Sequence, residues 1–209
     1  MRELHIHVEE PSMEAFLLDL LPRLLPVDLP RRVIDHGSKW QLLKRLPERL
    51  AGYRRIPREQ RPLVLVLVDR DDDDCLALKR RLEHACCEAG LISKSEAAAR
   101  HEFDLVNRIV IEELEAWYFG DLFAVAEGWP GVSPRLAARA RYRDPDAIAG
   151  GTHEAFLAIL QQAGHLRGVG RLPKIDTARR MAGLVDPTRN RSRSFNQFLA
   201  GLDALVEAA

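Results

Sequence analysis

The segment from Leu63 to Asp74 joins an apolar run to a dense group of carboxylates. Residues 63–68 are all leucine or valine, and residues 69–74 read Asp-Arg-Asp-Asp-Asp-Asp, which places five acids in six positions. Such a run favours a strand buried on both faces of a parallel sheet, whose carboxyl end is where open α/β sheets bind ligands. Because neighbouring carboxylates repel one another, the acids indicate either a solvated turn or a bound divalent cation such as Mg²⁺ or Mn²⁺.

Two further acidic groups follow predicted strands. They are Glu9 and Glu10 after the near-alternating residues 4–8, and Glu112, Glu113 and Glu115 after residues 108–111. Parallel strands joined by right-handed crossovers end at the same edge of a sheet, so all three acidic groups should converge there. The sequence therefore predicts a metal site at this edge, with ordinary solvent-exposed acidic loops as the alternative.

The elements that must position these acids alternate between strands and helices. The predicted strands are residues 4–8, 32–35, 63–68 and 108–111. The first predicted helix begins near Ser12 as its N-cap, and the second spans residues 39–51 with a kink or break at Pro47. A third helix runs from the aspartates to Gly90, and the last spans residues 195–206. This pattern predicts an α/β fold, a small Rossmann-like parallel sheet of about four strands flanked by helices. We expect a catalytic core over residues 1–130 and a helical C-terminal extension over residues 131–209, packed on that core.

Composition narrows the class of protein. The chain has 209 residues, 46% hydrophobic content, no formal net charge and three cysteines without paired spacing, which favours one compact core without a disulfide framework or a zinc ribbon. There is no long apolar stretch, so we expect a soluble cytoplasmic protein and no membrane partner. Charge is uneven along the chain: residues 31–61 hold ten Lys/Arg against three Asp/Glu, and residues 167–193 hold eight against two. Acids between basic segments suit a metal-dependent enzyme that acts on a polyanion, although solvated helix faces would give the same pattern.

Other conspicuous residues have simpler interpretations. Residues 72–74 are expected to favour the positive end of the next helix, where acids are stabilising. His5 and His7 lack matched ligand spacing, so packing or a hydrogen bond is favoured over metal binding. The aromatic residues 117–119 are expected in the core. The three arginines between residues 189 and 193 could contact phosphate or lie in a solvated loop before the last helix.

Three motifs carry a resemblance to a known family. They are Val8-Glu9-Glu10-Pro11-Ser12, Asp69-Arg70-Asp71 and Ile111-Glu112-Glu113-Leu114-Glu115-Ala116-Trp117, continued by Lys174 and Ser192-Arg193-Ser194-Phe195. Together they resemble DUF4276, a bacterial Toprim-like family of unknown function that is related to the Toprim domain of the overcoming-lysogenization-defect (OLD) nucleases. The Toprim signature is a glutamate after the first strand and an Asp-x-Asp after the third. The resemblance implies a Toprim fold and assigns these roles to Glu9 and to the pair Asp69 and Asp71.

The resemblance and the acid pattern together predict metal-dependent phosphodiester hydrolysis. Glu9, Asp69 and Asp71 would bind Mg²⁺ or Mn²⁺; Glu113 and Glu115 would serve a second ion, or Glu115 would orient a ligand or water; Lys174 would assist catalysis. The expected substrate is DNA or RNA, with a small-molecule phosphoester left open.

Partners are expected from the family resemblance and from an absent motif. Toprim-like proteins of this kind often accompany ATPases in bacterial defence systems, and this chain has no Gly-x-x-x-x-Gly-Lys-Ser/Thr loop of its own. A partner ATPase would therefore have to supply any use of ATP. The alternative function is a non-catalytic metal- or nucleotide-binding regulatory subunit of such an ATPase complex. A homo-oligomer stays open.

Overall fold

The computed structural model describes residues 2–97 and 102–208. Its sheet contains β1 (Leu4–Val8), β2 (Arg31–Asp35), β3 (Leu63–Asp69) and β4 (Leu105–Val110). The four strands are parallel and lie in the order β2-β1-β3-β4, with Ile6 of β1 opposite Val33 and Leu65. The predicted α/β class, a four-stranded parallel sheet with helices around it and a helical C-terminal region, is confirmed.

Helices occupy most of the remaining described chain. They are α1 (Pro11–Leu24), α2 (Lys39–Arg54), α3 (Cys75–Glu88), α4 (Leu114–Gly120), α5 (Leu122–Gly128), α6 (Thr152–Gln162), α7 (Lys174–Leu184) and α8 (Arg193–Glu207). Three short 3-10 helices at Pro134–Ala138, Ala140–Tyr142 and Pro145–Ala147 lie between α5 and α6. None of the helices in the described ranges has both the length and the apolar character needed to cross a membrane.

Several predicted boundaries were wrong. Ser12 is not an N-cap: α1 begins at Pro11 with Glu10 in the N-cap position, because proline has no N–H to satisfy in the first turn. The Ser12 hydroxyl instead donates a hydrogen bond to the Glu10 carboxylate. Pro47 does not divide α2, which runs through it to Arg54. The fourth strand begins at Leu105 rather than at residue 108, and it ends at Val110.

The sheet is covered on both faces, as the uniform leucine-valine composition of β3 predicts. Leu65 and its odd-numbered neighbours pack in a core with α1, α4 and the C-terminal helices, where Phe16 and Trp117 are fully buried. The even-numbered residues, such as Val66, pack with α2 and α3 in a second core. Residues from both sides of position 130 share the first core. The division of the chain into two domains at that position stays a prediction.

Candidate metal centre

Three carboxylates converge at the carboxyl edge of the sheet. Glu9 directly follows β1, Asp69 is the last residue of β3, and Asp71 lies two residues later. Each offers an oxygen, and these oxygens all lie within 4.8 Å of one another. Glu9 and Asp69 are buried, whereas Asp71 is exposed and opens the group to solvent. The structure thus brings together three of the five residues predicted as metal ligands.

The loop that carries Asp71 has an unusual backbone held in place by its neighbour. Asp71 has φ +48° and Glu112 has φ +63°, both in the left-handed region that aspartate tolerates better than most residues. Arg70 N–H donates to Val110 O at 2.8 Å, which extends the β3–β4 pairing past the end of the strand. The Arg70 side chain also pairs with the Glu112 carboxylate. These contacts fix the loop after β3 against the loop after β4.

Burial and mutual repulsion disfavour the ionised form of the two buried carboxylates. Burial, followed by the charge of Glu9, holds the pKa of Asp69 well above its usual range. Burial, followed by the charge of Asp71, raises the pKa of Glu9 to about 7. One hydrogen bond opposes this effect, from Asp69 N–H to Glu9 Oε2 at 3.3 Å. Asp69 Oδ1 is buried and has no hydrogen-bond partner among residues 2–97 and 102–208.

Lys39 lies beside Asp71, at the exposed side of the three carboxylates, and it was not predicted from the sequence. Its Nζ donates to Asp71 Oδ2 at 2.9 Å, to Asp73 Oδ2 at 2.8 Å and to Arg70 O at 2.9 Å. Burial alone would lower the pKa of Lys39, but the bonds to the two aspartates outweigh burial and raise it. The only sequence signal for Lys39 was its position at the start of α2, the helix that follows β2.

Glu115 lies beside the group on α4. It is buried, its Oε2 has no hydrogen-bond partner within the described part of the chain, and its charge adds to the repulsion on Asp69. His153 of α6 places Nδ1 3.5 Å from Glu115 Oε1, and the contact raises the pKa of His153. His153 was also missed, because nothing in the sequence relates residue 153 to residue 115. Glu115 is outside the three-residue group.

Glu113 and Lys174 are occupied by other contacts. The Glu113 carboxylate accepts hydrogen bonds from Thr152 Oγ1 at 3.1 Å and from His153 N–H at 3.0 Å, at the start of α6. Lys174 Nζ lies 3.3 Å from Glu10 Oε2 and 3.9 Å from Glu113 Oε1. Burial works against this ammonium, but the charges of Glu115, Glu10 and Glu113 raise its pKa. Lys174 therefore supplies a firmly held positive charge at the rim.

The remaining acids of the Asp-rich segment separate into different roles. Asp74 is the N-cap of α3 and accepts from Ala77 N–H at 2.7 Å, and Asp73 binds Lys39. Asp72 is exposed and lines a cleft of about 680 Å³ together with Asp71 and Glu112. The acids that follow the proposed ligands thus cap a helix, neutralise a lysine or face a polar cleft.

Residues with simpler interpretations are found in the core or in local contacts. His5 and His7 both hydrogen-bond to Tyr53 Oη, at 2.9 and 3.0 Å, and His7 also contacts His36. Trp117 and the two aromatic residues after it are buried. The arginines of the 189–193 segment differ from one another: Arg189 pairs with Asp121, Arg191 donates to backbone carbonyls, and Arg193 is exposed. All three cysteines are free and lie within α3.

Comparison with protein-family models gives a match over most of the chain. Residues 8–203 match the family model described as Domain of unknown function (DUF4276). The chain belongs to the DUF4276 family. No curated protein and no solved structure gives a significant match. The DUF4276 match includes Glu9, the Asp69–Asp71 pair, Glu115 and Lys174, so the whole candidate site lies within the family region.

The donor set fits a hard divalent cation. Mg²⁺ and Mn²⁺ prefer carboxylate oxygens and water, and Glu9, Asp69 and Asp71 supply three such oxygens from two adjacent strands. A buried carboxylate oxygen without a partner, such as Asp69 Oδ1, is costly unless a positive charge satisfies it. A cation would also relieve the repulsion that raises the pKa of both buried acids. The residues at this DUF4276 site therefore fit the predicted ion.

Proposed function

We propose that this DUF4276 protein is a Mg²⁺- or Mn²⁺-dependent phosphodiesterase that cleaves nucleic acid, DNA or RNA. The observation that carries the proposal is the convergence of Glu9, Asp69 and Asp71, with oxygens within 4.8 Å of one another and Asp69 Oδ1 left unsatisfied. Three carboxylates at the ends of adjacent parallel strands are a costly arrangement, and ion binding gives it a purpose. The motif resemblance to the Toprim domain of OLD nucleases supports the same chemistry.

The residues of the site would have different roles in the proposed reaction. Glu9, Asp69 and Asp71 would hold the ion, which when bound polarises a phosphodiester and promotes ionisation of water. Lys174, at the rim, can bind a non-bridging phosphate oxygen and neutralise its charge. The imidazole of His153, whose Nδ1 lies 3.5 Å from Glu115 Oε1, would accept or return a proton. Asp71 is exposed, so a substrate would reach the ion from its side of the group.

A partner ATPase in a bacterial defence system belongs to the same proposal. The chain has no Gly-x-x-x-x-Gly-Lys-Ser/Thr loop, so a partner would have to bind the nucleotide. We expect the partner to control access to the metal site rather than to supply its ligands, because Glu9, Asp69 and Asp71 all come from this chain.

The test is cleavage of labelled single- and double-stranded DNA and RNA with Mg²⁺ or Mn²⁺, with and without a candidate partner ATPase. We compare the wild type with Asp69→Asn and Asp71→Asn. Asp28→Asn is the matched control, because Asp28 is an exposed aspartate in the loop that leads into β2, at the opposite edge of the sheet. Loss of a direct ligand is expected to lower the cleavage rate more than the roughly 100-fold that loss of a supporting contact can cost.

Each outcome decides between the candidate functions. Cleavage that needs the ion, survives Asp28→Asn and is lost in both ligand variants supports the proposal. Equal residual cleavage by the wild type and Asp71→Asn points to a contaminating nuclease and refutes it. Metal-dependent thermal stabilisation without any cleavage, with the ATPase present, favours the regulatory subunit instead.

A further inference from the structure

The two outermost strands of the sheet, β2 and β4, differ in how their outer sides are covered. At β4, Leu105 N–H donates to Ile92 O at 3.2 Å and Leu105 O accepts from Lys94 N–H at 2.8 Å. Asn107 O, which also points outward, accepts from Lys79 Nζ at 2.8 Å. Within the described part of the chain, β2 pairs with β1 alone. An uncovered outer strand presents a row of N–H and C=O groups to which another strand can bond.

The pairing of β2 with β1 shows which of its backbone groups are free. Leu4 N–H donates to Pro30 O at 2.8 Å, so the even-numbered residues of this segment face β1. Alternate residues of a strand present their N–H and C=O groups to opposite sides, and the odd-numbered residues therefore face outward. No hydrogen bond to their backbone groups is formed within residues 2–97 and 102–208. The outward-facing residues are Arg31, Val33 and Asp35.

The two ends of β2 carry opposite charges that lack partners. At one end, Arg31 donates to two backbone carbonyls, Pro26 O at 3.2 Å and Leu29 O at 3.3 Å. At the other end, Asp35 lies near Glu14 of α1, because burial, followed by the charge of Asp35, raises the pKa of Glu14. Among residues 2–97 and 102–208, no oppositely charged group lies within 4 Å of any of these three charged side chains.

We propose that β2 pairs antiparallel with β2 of a second copy of this chain, about a two-fold axis at Val33, so that the two sheets join into one. In this register Val33 lies opposite the partner's Val33, and Arg31 lies opposite the partner's Asp35. Each of these pairs exchanges two N–H···O bonds, because all three residues point outward. No other two-fold register places all three opposite outward-facing residues. The contact joins one surface to itself, so it closes as a dimer.

Charge complementarity favours a second copy as the partner. The partner's Arg31 would neutralise Asp35 and would also approach Glu14, and so relieve the repulsion between these two acids. On the other face of the sheet, Arg32 would lie opposite the partner's Ile34. Its guanidinium is already paired with Glu3 at 3.4 Å, which reduces the repulsion between the two Arg32 side chains of the dimer.

Exposed apolar side chains flank the strand. Leu18 lies one turn after Glu14 on the same side of α1, and 56% of its surface is exposed. Val27, in the turn that leads into β2, is 94% exposed. Because the pairing of two short strands buries little surface, a stable dimer needs further contacts of this kind. The α1 helices of the two copies would approach each other across the two-fold axis and bury Leu18.

The dimer would leave the two metal centres independent of each other. Antiparallel pairing places the carboxyl ends of the strands of the two copies at opposite edges of the joined sheet. Glu9, Asp69 and Asp71 all come from one chain, so each site is complete without the partner. Dimerisation is therefore tested separately from cleavage, and failure of either proposal would leave the other standing.

Charge reversal tests the pairing in the full chain, with sedimentation velocity as the measure of the dimer Kd. Arg31→Glu and Asp35→Arg each place like charges opposite one another, and each should weaken the dimer at least about tenfold. An equimolar mixture of the two variants should form a heterodimer about as tight as the wild-type dimer. In that mixture the new glutamate faces the new arginine, and the native aspartate faces the native arginine. The matched controls, Arg80→Glu and Glu88→Arg, are exposed on α3, between β3 and β4, and should leave the Kd unchanged.

A disulfide tests the register. In a Cys75→Ser, Cys87→Ser background, Val33→Cys should cross-link two chains under a mild oxidant, because the Cα atoms of a hydrogen-bonded antiparallel pair are about 5.5 Å apart. Arg32→Cys is the matched control. The two residues at position 32 would be diagonal neighbours about 7–8 Å apart, which is beyond the reach of a disulfide.

Four results would overturn the proposal. They are a wild type that stays monomeric, a dimer that neither charge reversal weakens more than the controls do, a mixture of the two reversed variants that forms no heterodimer, and cross-linking of Arg32→Cys as efficient as that of Val33→Cys. Circular dichroism of each variant confirms that the chain is folded. A heterodimer formed by two variants that are separately monomeric would support the antiparallel contact through β2.

Discussion

Replacing Glu9 by glutamine should stabilise the protein in the absence of divalent cations. Glutamine keeps the shape of the side chain and an oxygen that can accept the hydrogen bond from Asp69 N–H, but it removes a negative charge from a buried group of acids. Burial and the charge of Asp71 raise the pKa of Glu9 from its ordinary value of 4.5 to about 7. A carboxyl whose pKa is raised by folding binds its proton more tightly in the folded state. Its ionisation therefore opposes folding.

The difference between the two pKa values of Glu9 gives the size of the effect. Raising the pKa from 4.5 to about 7 corresponds to about 3 kcal/mol at 1.36 kcal/mol per pH unit. Wild-type stability should therefore fall as the pH rises from about 4.5 through 7. The free energy of unfolding of Glu9→Gln should exceed that of the wild type by under about 1 kcal/mol at pH 5 and by about 3 kcal/mol at pH 8.

Urea denaturation of both proteins in EDTA, across this pH range, measures the difference. Glu59→Gln is the control, because Glu59 is exposed and its charge is solvated. Mg²⁺ at 1,000 times its Kd should reverse the order at pH 8, since it stabilises the wild type by about 4.1 kcal/mol, which exceeds the difference of about 3 kcal/mol, and Glu9→Gln has lost a ligand. A Glu9→Gln protein that is less stable than the wild type in EDTA at pH 8 would refute this electrostatic reasoning.

Two further predictions concern the fold around the site. Arg61→Met should lower the free energy of unfolding by about 3 kcal/mol, because it removes the nearer of two guanidinium groups that pair with the buried Asp104 carboxylate, Arg61 at 3.0 Å and Arg2 at 3.4 Å, and it also removes three bonds from Arg61 to backbone carbonyls. Gly120→Ala should cost about 1–3 kcal/mol, because a Cβ there would lie 1.9 Å from Asn190 Oδ1, and Asn190 is held by a bond to the backbone of α4. Both are measured by chemical denaturation.

Each of these changes has a control within the chain. Arg58→Met removes an exposed guanidinium from its pair with Glu102 and should cost no more than about 1 kcal/mol. Gly52→Ala adds a Cβ with no atom within 4 Å in the interior of α2, and it should stabilise by about 0.5–1 kcal/mol. Two results would contradict the packing described above. They are an equal loss of unfolding free energy in Arg58→Met and Arg61→Met, and a Gly120→Ala protein that is as stable as the wild type.

The order of elements was readable from the sequence because each strand carries a local signal. The leucine-valine run of β3 must be covered on both faces, which requires helices on both sides of a parallel sheet. Parallel strands end at the same edge of the sheet, so the sequence alone predicted that Glu9 and Asp69 lie close together. Boundaries were less accurate. Nothing local distinguishes Asn107 in β4 from a loop residue, since its burial depends on tertiary packing.

Two basic residues of the site, Lys39 and His153, could not be predicted in the same way. Lys39 reaches Asp71 and Asp73 from a helix about thirty positions earlier, and His153 reaches Glu115 from α6. Periodicity does not encode such contacts, because they depend on how helices outside the sheet are packed. The metal roles of Glu113 and Glu115 stay predictions, and Glu113 already accepts two hydrogen bonds at the start of α6.

Direct measurement of Mn²⁺ bound per chain tests the central claim that Glu9, Asp69 and Asp71 form a cation site. Electron paramagnetic resonance counts the free ion during titration of the wild type, Asp69→Asn, Asp71→Asn and the control Asp28→Asn, with circular dichroism to check folding. The structure predicts at least one bound Mn²⁺, displaced by excess Mg²⁺, in the wild type and in Asp28→Asn, and a loss of at least about tenfold in affinity in both ligand variants. No binding to the wild type, or equal binding by all four proteins, would contradict it.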